Sequence, residues 1–466
     1  MNSIDFIKYI NPSYKGHLVG IGGVSMAPLA EVLWGSGIKI TGSDISDSAS
    51  VEHLRSLGIN IAIGHRAENI GDADFVVRTA AARDDNPEIM EAHRRGIPVF
   101  ERAQAWGAIM KGYENALCIA GTHGKTTTTS MATHILMAAN EDPTVMIGGT
   151  LPLLHANHHL GHGDTIILES CEYYNSFLSF FPTIAVILNV DADHLDYFKN
   201  LDAVKESFRN FAALVPESGH IICNGDDKNT MDALAPLGRP LITFGMSEKC
   251  SIRAVNIHDA STGFKKPGSE FDIMKDGKIV CRVHLKVPGH HNVMNALAAA
   301  AAALTLNIPA EYIDKGLANF TGAGRRFEYK GTYNGALVYD DYAHHPSELR
   351  ALLDMVLALD YERVIVAFQP HTYTRTKLLF DEFVQQLRRP TKVFLAEIYA
   401  AREKNTIGIS SKDLTDKIDG AVFCKDFDEL EKALMAEAKP GDIILTVGAG
   451  NIYTVGENIV KKGLSC

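Results

Sequence analysis

Residues 121–129 read Gly-Thr-His-Gly-Lys-Thr-Thr-Thr-Thr and directly follow the apolar run Ala116-Leu117-Cys118-Ile119-Ala120. A strand, a glycine-rich loop and a helix start in that order wrap backbone N–H groups around a polyphosphate, and the helix N-terminus adds positive potential. Gly121, Thr122 and Gly124 shape such a loop, Lys125 is placed to reach β- and γ-phosphates, and the hydroxyl of Thr126 or Thr127 to meet Mg²⁺. In the usual G-x4-G-K-[ST] spacing the first glycine falls on Ile119, so this is a shorter variant of the motif. The chemistry it points to is that of ATP.

Other polar clusters follow short apolar runs. Glu169-Ser170-Cys171-Glu172 comes after 165–168, and Asp191-Ala192-Asp193-His194-Leu195-Asp196 after 184–189. Ligands bind past the carboxyl ends of strands in open α/β sheets. The hard oxygens of Glu172 suit Mg²⁺, whereas His194, on spacing alone, reads more readily as a hydrogen-bonding histidine. In His290-His291-Asn292-Val293-Met294-Asn295, His291 or Asn292 could cap the alanine-rich helix that follows, or an amide could read the edge of an adenine; spacing leaves both open. The adjacent Arg325 and Arg326 suit a phosphate clamp. Tyr342, His345, His371 and Arg375 lie past two further strands, and Arg375 can take a carboxylate bidentately. His155, His158, His159 and His162 have no cysteine at metal-binding spacing and read as a solvated loop.

These groups need rigid elements to hold them. The first segment, 1–112, opens as a βαβ unit: a strand at 17–20, the turn Gly20-Ile21-Gly22-Gly23, a helix through Leu33, then Lys39-Ile40-Thr41-Gly42-Ser43-Asp44. An acidic residue about twenty positions past a glycine-rich turn is the layout of a dinucleotide-binding half, although the third glycine of G-x-G-x-x-G is replaced by Ser25. Asp44 is placed to meet a ribose hydroxyl or to remain a solvated turn carboxylate. The second segment, 113–322, carries the phosphate loop, and the third, 323–466, repeats the α/β rhythm with strands at 337–340, 364–368, 392–395 and 442–447. Three such units imply a cleft between domains.

Bulk properties narrow the classes. The chain has 466 residues, 46% hydrophobic and 22% charged, with a net charge of −11. That size divides into about three domains. The negative charge argues against nucleic acid as a partner, so an anionic substrate must be held by local cations. The 7 cysteines are scattered with no C-x-x-C pair, as expected of reduced thiols in the cytoplasm. Asp5 and Lys8 interrupt the first apolar stretch, which is unlike a signal peptide. The alanine-rich run 296–304 reads as a packed helix, so no membrane insertion is expected.

Taken together the motifs resemble the Mur ligase family. They are His17-x-x-Gly20-Ile21-Gly22-Gly23, Gly42-Ser43-Asp44, the phosphate loop, Asn189-x-x-x-Asp193-His194-Leu195-Asp196, His291-Asn292-x-x-Asn295-Ala296, Arg325-Arg326-Phe327-Glu328, Asp340-Asp341-Tyr342-x-His344-His345-Pro346 and Phe368-Gln369-Pro370-His371-x-Tyr373-Thr374-Arg375. The resemblance implies an α/β protein of three domains: Rossmann-like, then a P-loop ATPase-like parallel sheet, then Rossmann-like again. It implies an ATP- and Mg²⁺-dependent ligase in which the lactyl carboxylate of UDP-N-acetylmuramate attacks the γ-phosphoryl and L-alanine displaces phosphate from the acyl phosphate. Carried over by position, Thr126, Glu172 and His194 would hold Mg²⁺, with Lys125, Glu172, His194 and Arg326 serving the chemistry. Gly121, Thr122, Gly124, Lys125, Thr126, Thr127, Asn292, Asn295, Arg326 and Asp341 would handle ATP. Gly22, Gly23, Ser43, Asp44, His123 and Ser176 would face the UDP-sugar, and Tyr342, His345, His371 and Arg375 the amino acid. The family commonly reads Glu-x-Asp-Glu-Ser-Asp where this chain has Glu169-Ser170-Cys171-Glu172-Tyr173-Tyr174, and often has arginine where Thr372 stands. A relative that attaches a preformed peptide, a folate-polyglutamating ligase and a non-catalytic nucleotide-binding homologue remain as alternatives, and either a monomer or a homodimer is compatible with the sequence.

Overall fold

Alternation of short apolar runs with amphipathic stretches produces the expected α/β layers. The structure, a computed structural model, describes residues 2–194, 197–259, 268–401 and 403–464; Leu195, Asp196 and Cys466 lie outside these. Strands β1 (Lys15–Val19), β2 (Lys39–Asp44), β3 (Asn60–Ile63), β4 (Phe75–Arg78) and β5 (Val99–Glu101) form an all-parallel sheet ordered β3-β2-β1-β4-β5. Its first turn closes on itself, because the Asp44 carboxylate accepts the Gly22 N–H at 2.9 Å.

The phosphate-loop segment builds β6 (Asn115–Ala120), β7 (Thr144–Leu151), β8 (Ala156–His159), β9 (Thr165–Ser170), β10 (Ile184–Ile187), β11 (His220–Asn224) and β12 (Ile242–Gly245), ordered β12-β11-β10-β6-β9-β7-β8. All these pairs are parallel except β7–β8. The register sets Ala120 against both Ser170 and Ile187. Three strand ends are thereby flush, and the phosphate loop, Glu172 and Asn189 emerge from one edge. The strands β13 (Ile252–Asp259), β14 (Ser269–Lys275) and β15 (Lys278–Leu285) follow.

The last sheet, β16 (Glu328–Tyr333), β17 (Ala336–Asp341), β18 (Arg363–Phe368), β19 (Lys392–Leu395), β20 (Val422–Phe423) and β21 (Asp442–Val447), is ordered β16-β17-β21-β18-β19-β20 with only β16 antiparallel. Asp341, Val447 and Phe368 align in register, so the motifs after β17 and β18 leave the same edge. The chain groups into two compact units, one of residues 1–254, 273–281 and 295–317, the other of 255–272, 282–294 and 318–466.

The histidine-rich stretch is only partly the solvated loop expected of it: His155 and His162 are exposed outside any strand, whereas His158 and His159 lie in β8. β8 forms a hairpin with β7, and its histidines find carboxylates: His158 Nε2 lies 3.1 Å from Glu31 and His159 Nε2 2.7 Å from Asp142, while His162, beyond the strand, sets Nδ1 3.0 Å from Asp142. Carboxylates distant in sequence supply these partners, so spacing alone did not reveal them. The helix Met26–Gly35, which carries Glu31, packs in the same unit.

Under the first sheet lies a buried polar knot. Glu88 is fully buried and accepts hydrogen bonds from Ser43 Oγ at 2.6 Å and Asn69 Nδ2 at 2.5 Å, with His65 Nδ1 at 3.1 Å and His17 Nε2 at 3.8 Å. Burial alone would raise its pKa, but the nearby His17 imidazole and the bonds from Ser43 and Asn69 outweigh it and hold Glu88 down at about 2. The stability this carboxylate contributes is present above its unfolded value of about 4 and is lost as pH falls toward 2. Glu88→Ala strands several buried donors, and we expect the first thermal transition to drop by about 5–10 °C at pH 7, with a smaller difference at pH 3; differential scanning calorimetry at both pH values checks it.

Candidate active site

In the first unit, the loop 121–124 owes its shape to glycine and to one asparagine. Gly121 has φ +154° and Gly124 +85°, and a Cβ at Gly124 would sit 2.5 Å from Asn295 Oδ1. Asn189 pairs with the backbone of His123 in both directions: His123 N–H donates to Oδ1 at 2.8 Å and Nδ2 donates to the His123 carbonyl at 3.0 Å. Thr122 N–H donates to the Asn189 carbonyl at 3.1 Å, and Asp191 N–H donates to Thr122 Oγ1 at 2.9 Å. The loop is thus fastened to the end of β10, and the helix Lys125–Ala138 begins with its first N–H groups directed back at the loop's mouth.

Lys125 is held by that geometry. Its Nζ donates to the carbonyl of Gly121, to that of Thr122 at 3.0 Å and to Glu172 Oε2 at 2.9 Å. Burial would depress the ammonium, but the Glu172 charge overrides it and keeps Lys125 above its ordinary value. Thr126 Oγ1 donates to Glu169 Oε1 at 2.9 Å, and the other oxygen of Glu169 accepts the Gly148 N–H at 2.6 Å. His194 Nε2 lies 3.7 Å from Glu172 Oε1. A hydroxyl, a carboxylate and an imidazole gathered beside a phosphate-type loop form a donor set that fits Mg²⁺, with oxygen predominating. Thr128 Oγ1 donates to Asn295 Oδ1 at 3.3 Å, which ties Asn295 to the helix behind the loop.

Of the residues assigned to the UDP-sugar, Gly22, Gly23 and Asp44 lie at the β1–β2 strand ends. Ser43 does not join them: it is fully buried and gives its hydroxyl to Glu88, so it supports the site from inside. His123 Nε2 lies 3.5 Å from Asp191 Oδ2, and Ser176 donates to the Tyr173 carbonyl at 2.8 Å.

In the second unit the two arginines part company. Arg325 does not clamp an open site: it binds Asp340 at 3.0 Å and the Gly448 and Gly450 carbonyls at 2.5 and 2.9 Å, fixing the loop after β21. Arg326 lies 3.7 Å from Glu348 and 5.2 Å from the centre of the Tyr342 ring. Asp341 accepts the Phe327 and Ala343 N–H groups, each at 2.8 Å, yet its burial outweighs the Arg326 charge and raises it to about 6. Neither His291 nor Asn292 caps the alanine-rich helix, which already includes both as His290–Thr305; Asn292 Nδ2 donates to the Pro288 carbonyl at 2.7 Å. Burial, reinforced by Arg326, lowers His291 to about 4.

His371 Nδ1 meets Arg375 Nη1 at 3.2 Å, one helical turn away. His345 does not join this group. It is buried, caps the helix Pro346–Leu357 and holds Ser347 Oγ at 2.7 Å, and its neighbour His344 lies between Tyr342 and His371 instead, at centroid distances of 5.4 and 5.7 Å. Reasoning from sequence also passed over Glu169, Asn189 and Glu348. Asn189 stood in its motif without a role, and Glu348 was legible only as the capping-box partner three residues into a helix.

Two measurements check this geometry. Asp341 folds with a raised pKa, so what it contributes to stability is present below about 4 and is lost as pH rises through about 6. A carboxyl titrating near 6 by ¹³C NMR should vanish in Asp341→Asn. Asn189→Ala should raise the KM for ATP about tenfold while leaving the KM values of the other substrates within twofold, because it frees a loop and removes no ligand.

Matches to known proteins run along the whole chain. The model of the Mur ligase family, catalytic domain, matches residues 15–114, that of the Mur ligase middle domain 119–303, and that of the Mur ligase, glutamate ligase domain, 325–450. A UDP-N-acetylmuramate–L-alanine ligase of Clostridium botulinum is 46% identical over 463 residues, covering 98% of this chain and 100% of that one. The crystal structure of a UDP-N-acetylmuramate–alanine ligase from Thermotoga maritima matches with a TM-score of 0.81 and 30% identity, covering 97% and 99% of the two chains. A murein peptide ligase from Psychrobacter arcticus shares the fold, with a TM-score of 0.69 and 24% identity over 97% and 98%. The chain belongs to the Mur ligase family.

Proposed function

We propose that this protein joins L-alanine to the lactyl carboxylate of UDP-N-acetylmuramate at the expense of ATP, a step in making peptidoglycan precursor. The observation that carries the reading is near-full-length identity of 46% to a ligase of that name, together with an intact phosphate loop, Lys125 and Glu172. Segments 1–112, 113–322 and 323–466 would bind the UDP-sugar, ATP and the amino acid in turn. The protein's substrates are soluble, and it would act in the cytoplasm; among the described residues no helix is long and apolar enough to cross a membrane.

The chemistry sets anion against anion. A carboxylate oxygen attacks the γ-phosphorus, the bond to the β–γ bridging oxygen breaks, and ADP leaves. The unprotonated amine of alanine then attacks the acyl carbon, phosphate departs with the carboxylate oxygen that made the first attack, and the surplus amine proton passes to phosphate or water. Lys125 and Arg326 would offset charge on the phosphoryl oxygens, and the fixed N–H groups at the start of the helix after the loop would do so without reorganising. Thr126, Glu172 and His194 would hold Mg²⁺, which when bound offsets further charge on the phosphate oxygens. Asn292, Asn295 and Asp341 would serve ATP. Tyr342, His371 and Arg375 would bind the amino acid, with Arg375 pairing its carboxylate.

Phosphate release should require ATP, UDP-N-acetylmuramate and L-alanine together. Lys125→Ala should reduce it by at least about 10³-fold while the circular dichroism spectrum stays unchanged. Turnover with a peptide acceptor and none with alanine would move the protein to the peptide-adding branch, and retained turnover in Lys125→Ala would remove the loop from the mechanism.

A further inference from the structure

His194 sits at the end of a segment whose backbone is fixed from both sides. Its N–H donates to Asp193 Oδ1 at 2.7 Å, its carbonyl accepts the Tyr197 and Phe198 N–H groups at 2.9 and 2.8 Å, and its φ is +53°. None of these bonds reaches the imidazole. The ring instead lies over Tyr173, centroid to centroid 4.4 Å at an interplanar angle of 25°. Its Nε2 points toward carboxylates, 3.7 Å from Glu172 Oε1 and 3.8 Å from Asp193 Oδ2.

Tyr173 is itself braced. Tyr174 and Asn175, the next two residues, both have φ +54°, which breaks the helical turn there. Asn175 Nδ2 donates to the Tyr197 hydroxyl at 3.0 Å and its Oδ1 accepts the Ser207 hydroxyl at 2.5 Å. Tyr174 packs on Tyr197 at 4.8 Å, and Tyr197 meets Tyr173 edge-on at 6.2 Å. The ring under His194 is therefore one face of a three-tyrosine wedge, and it stands where the sequence comparison expected a serine followed by an aspartate.

We infer that Tyr173 is a positioning residue for His194: its face fixes the imidazole plane so that Nε2 stays aimed at the cation site beside Glu172, a task that polar neighbours would otherwise perform. This rests on the reading of His194 as a metal ligand. Partners that orient a ligating histidine without touching the metal typically change metal affinity by about 10- to 100-fold when removed. The stack does that work through shape and π contact, which the flat ring supplies.

The test is direct binding of Mn²⁺ to the enzyme with a non-hydrolysable ATP analogue, read from the electron paramagnetic resonance signal of free Mn²⁺. Tyr173→Phe should bind within twofold of the unaltered protein. Tyr173→Leu, which fills the space without a flat face, and Tyr173→Ser should each bind about tenfold more weakly. Either of the last two binding as tightly as the unaltered protein would overturn the inference, as would Tyr173→Phe losing as much as Tyr173→Leu. His194→Ala separates the two readings. If it weakens Mn²⁺ binding while Tyr173→Leu does not, the ligand reading survives and the positioning role falls; if it has no effect, the ligand reading falls with it.

Discussion

The nucleotide end of this protein depends on keeping one lysine charged and aimed while it is mostly shielded from water. Lys125 does so through Glu172, whose carboxylate lies 2.9 Å away and outweighs the cost of burying the ammonium. The same ammonium closes the loop on itself by binding two of its carbonyls. A lysine in this posture is poised, since a polyphosphate offers a stronger anionic partner than loop carbonyls do. In the proposed reaction Glu172 would then turn its oxygens toward a cation, so that one ion pair would serve both the resting and the loaded loop.

Around that pair the rest is scaffolding with a purpose. Flush strand ends put the loop, Glu172 and Asn189 on one edge, and Asn189 spends a whole side chain imitating a backbone partner for His123. The chain's net charge of −11 gives no general attraction for anionic substrates. Cations are instead placed one at a time, and each arginine near a strand end has a carboxylate, carbonyl or ring neighbour that orients it.

The sequence made the architecture legible where strand runs were short, apolar and followed by polar clusters, as at β1–β6, β9, β10, β17–β19 and β21; the more polar or shorter strands β7, β8, β11–β16 and β20 carried no such signal. It located the phosphate loop and its lysine for the same reason: local spacing fixes a loop. It did not distinguish neighbours that share a motif. Arg325 and Arg326, or His344 and His345, are equivalent as letters; only the folded chain, just before β16 and just after β17, commits Arg325 to Asp340 and His345 to the start of the helix Pro346–Leu357. Nor could spacing show that Ser43 answers to Glu88, 45 residues away, or that Tyr173 lies under His194. Those pairings follow from the packing of helices on sheets.

In the proposed reaction a carboxylate oxygen of the UDP-sugar is handed to phosphate. UDP-N-acetylmuramate carrying ¹⁸O in its lactyl carboxylate, turned over with ATP and L-alanine, tests it by mass spectrometry of the released phosphate. Doubly labelled carboxylate should give one ¹⁸O in each phosphate. Phosphate free of ¹⁸O, with both label atoms kept in the organic product or with ADP formed by hydrolysis alone, would contradict it.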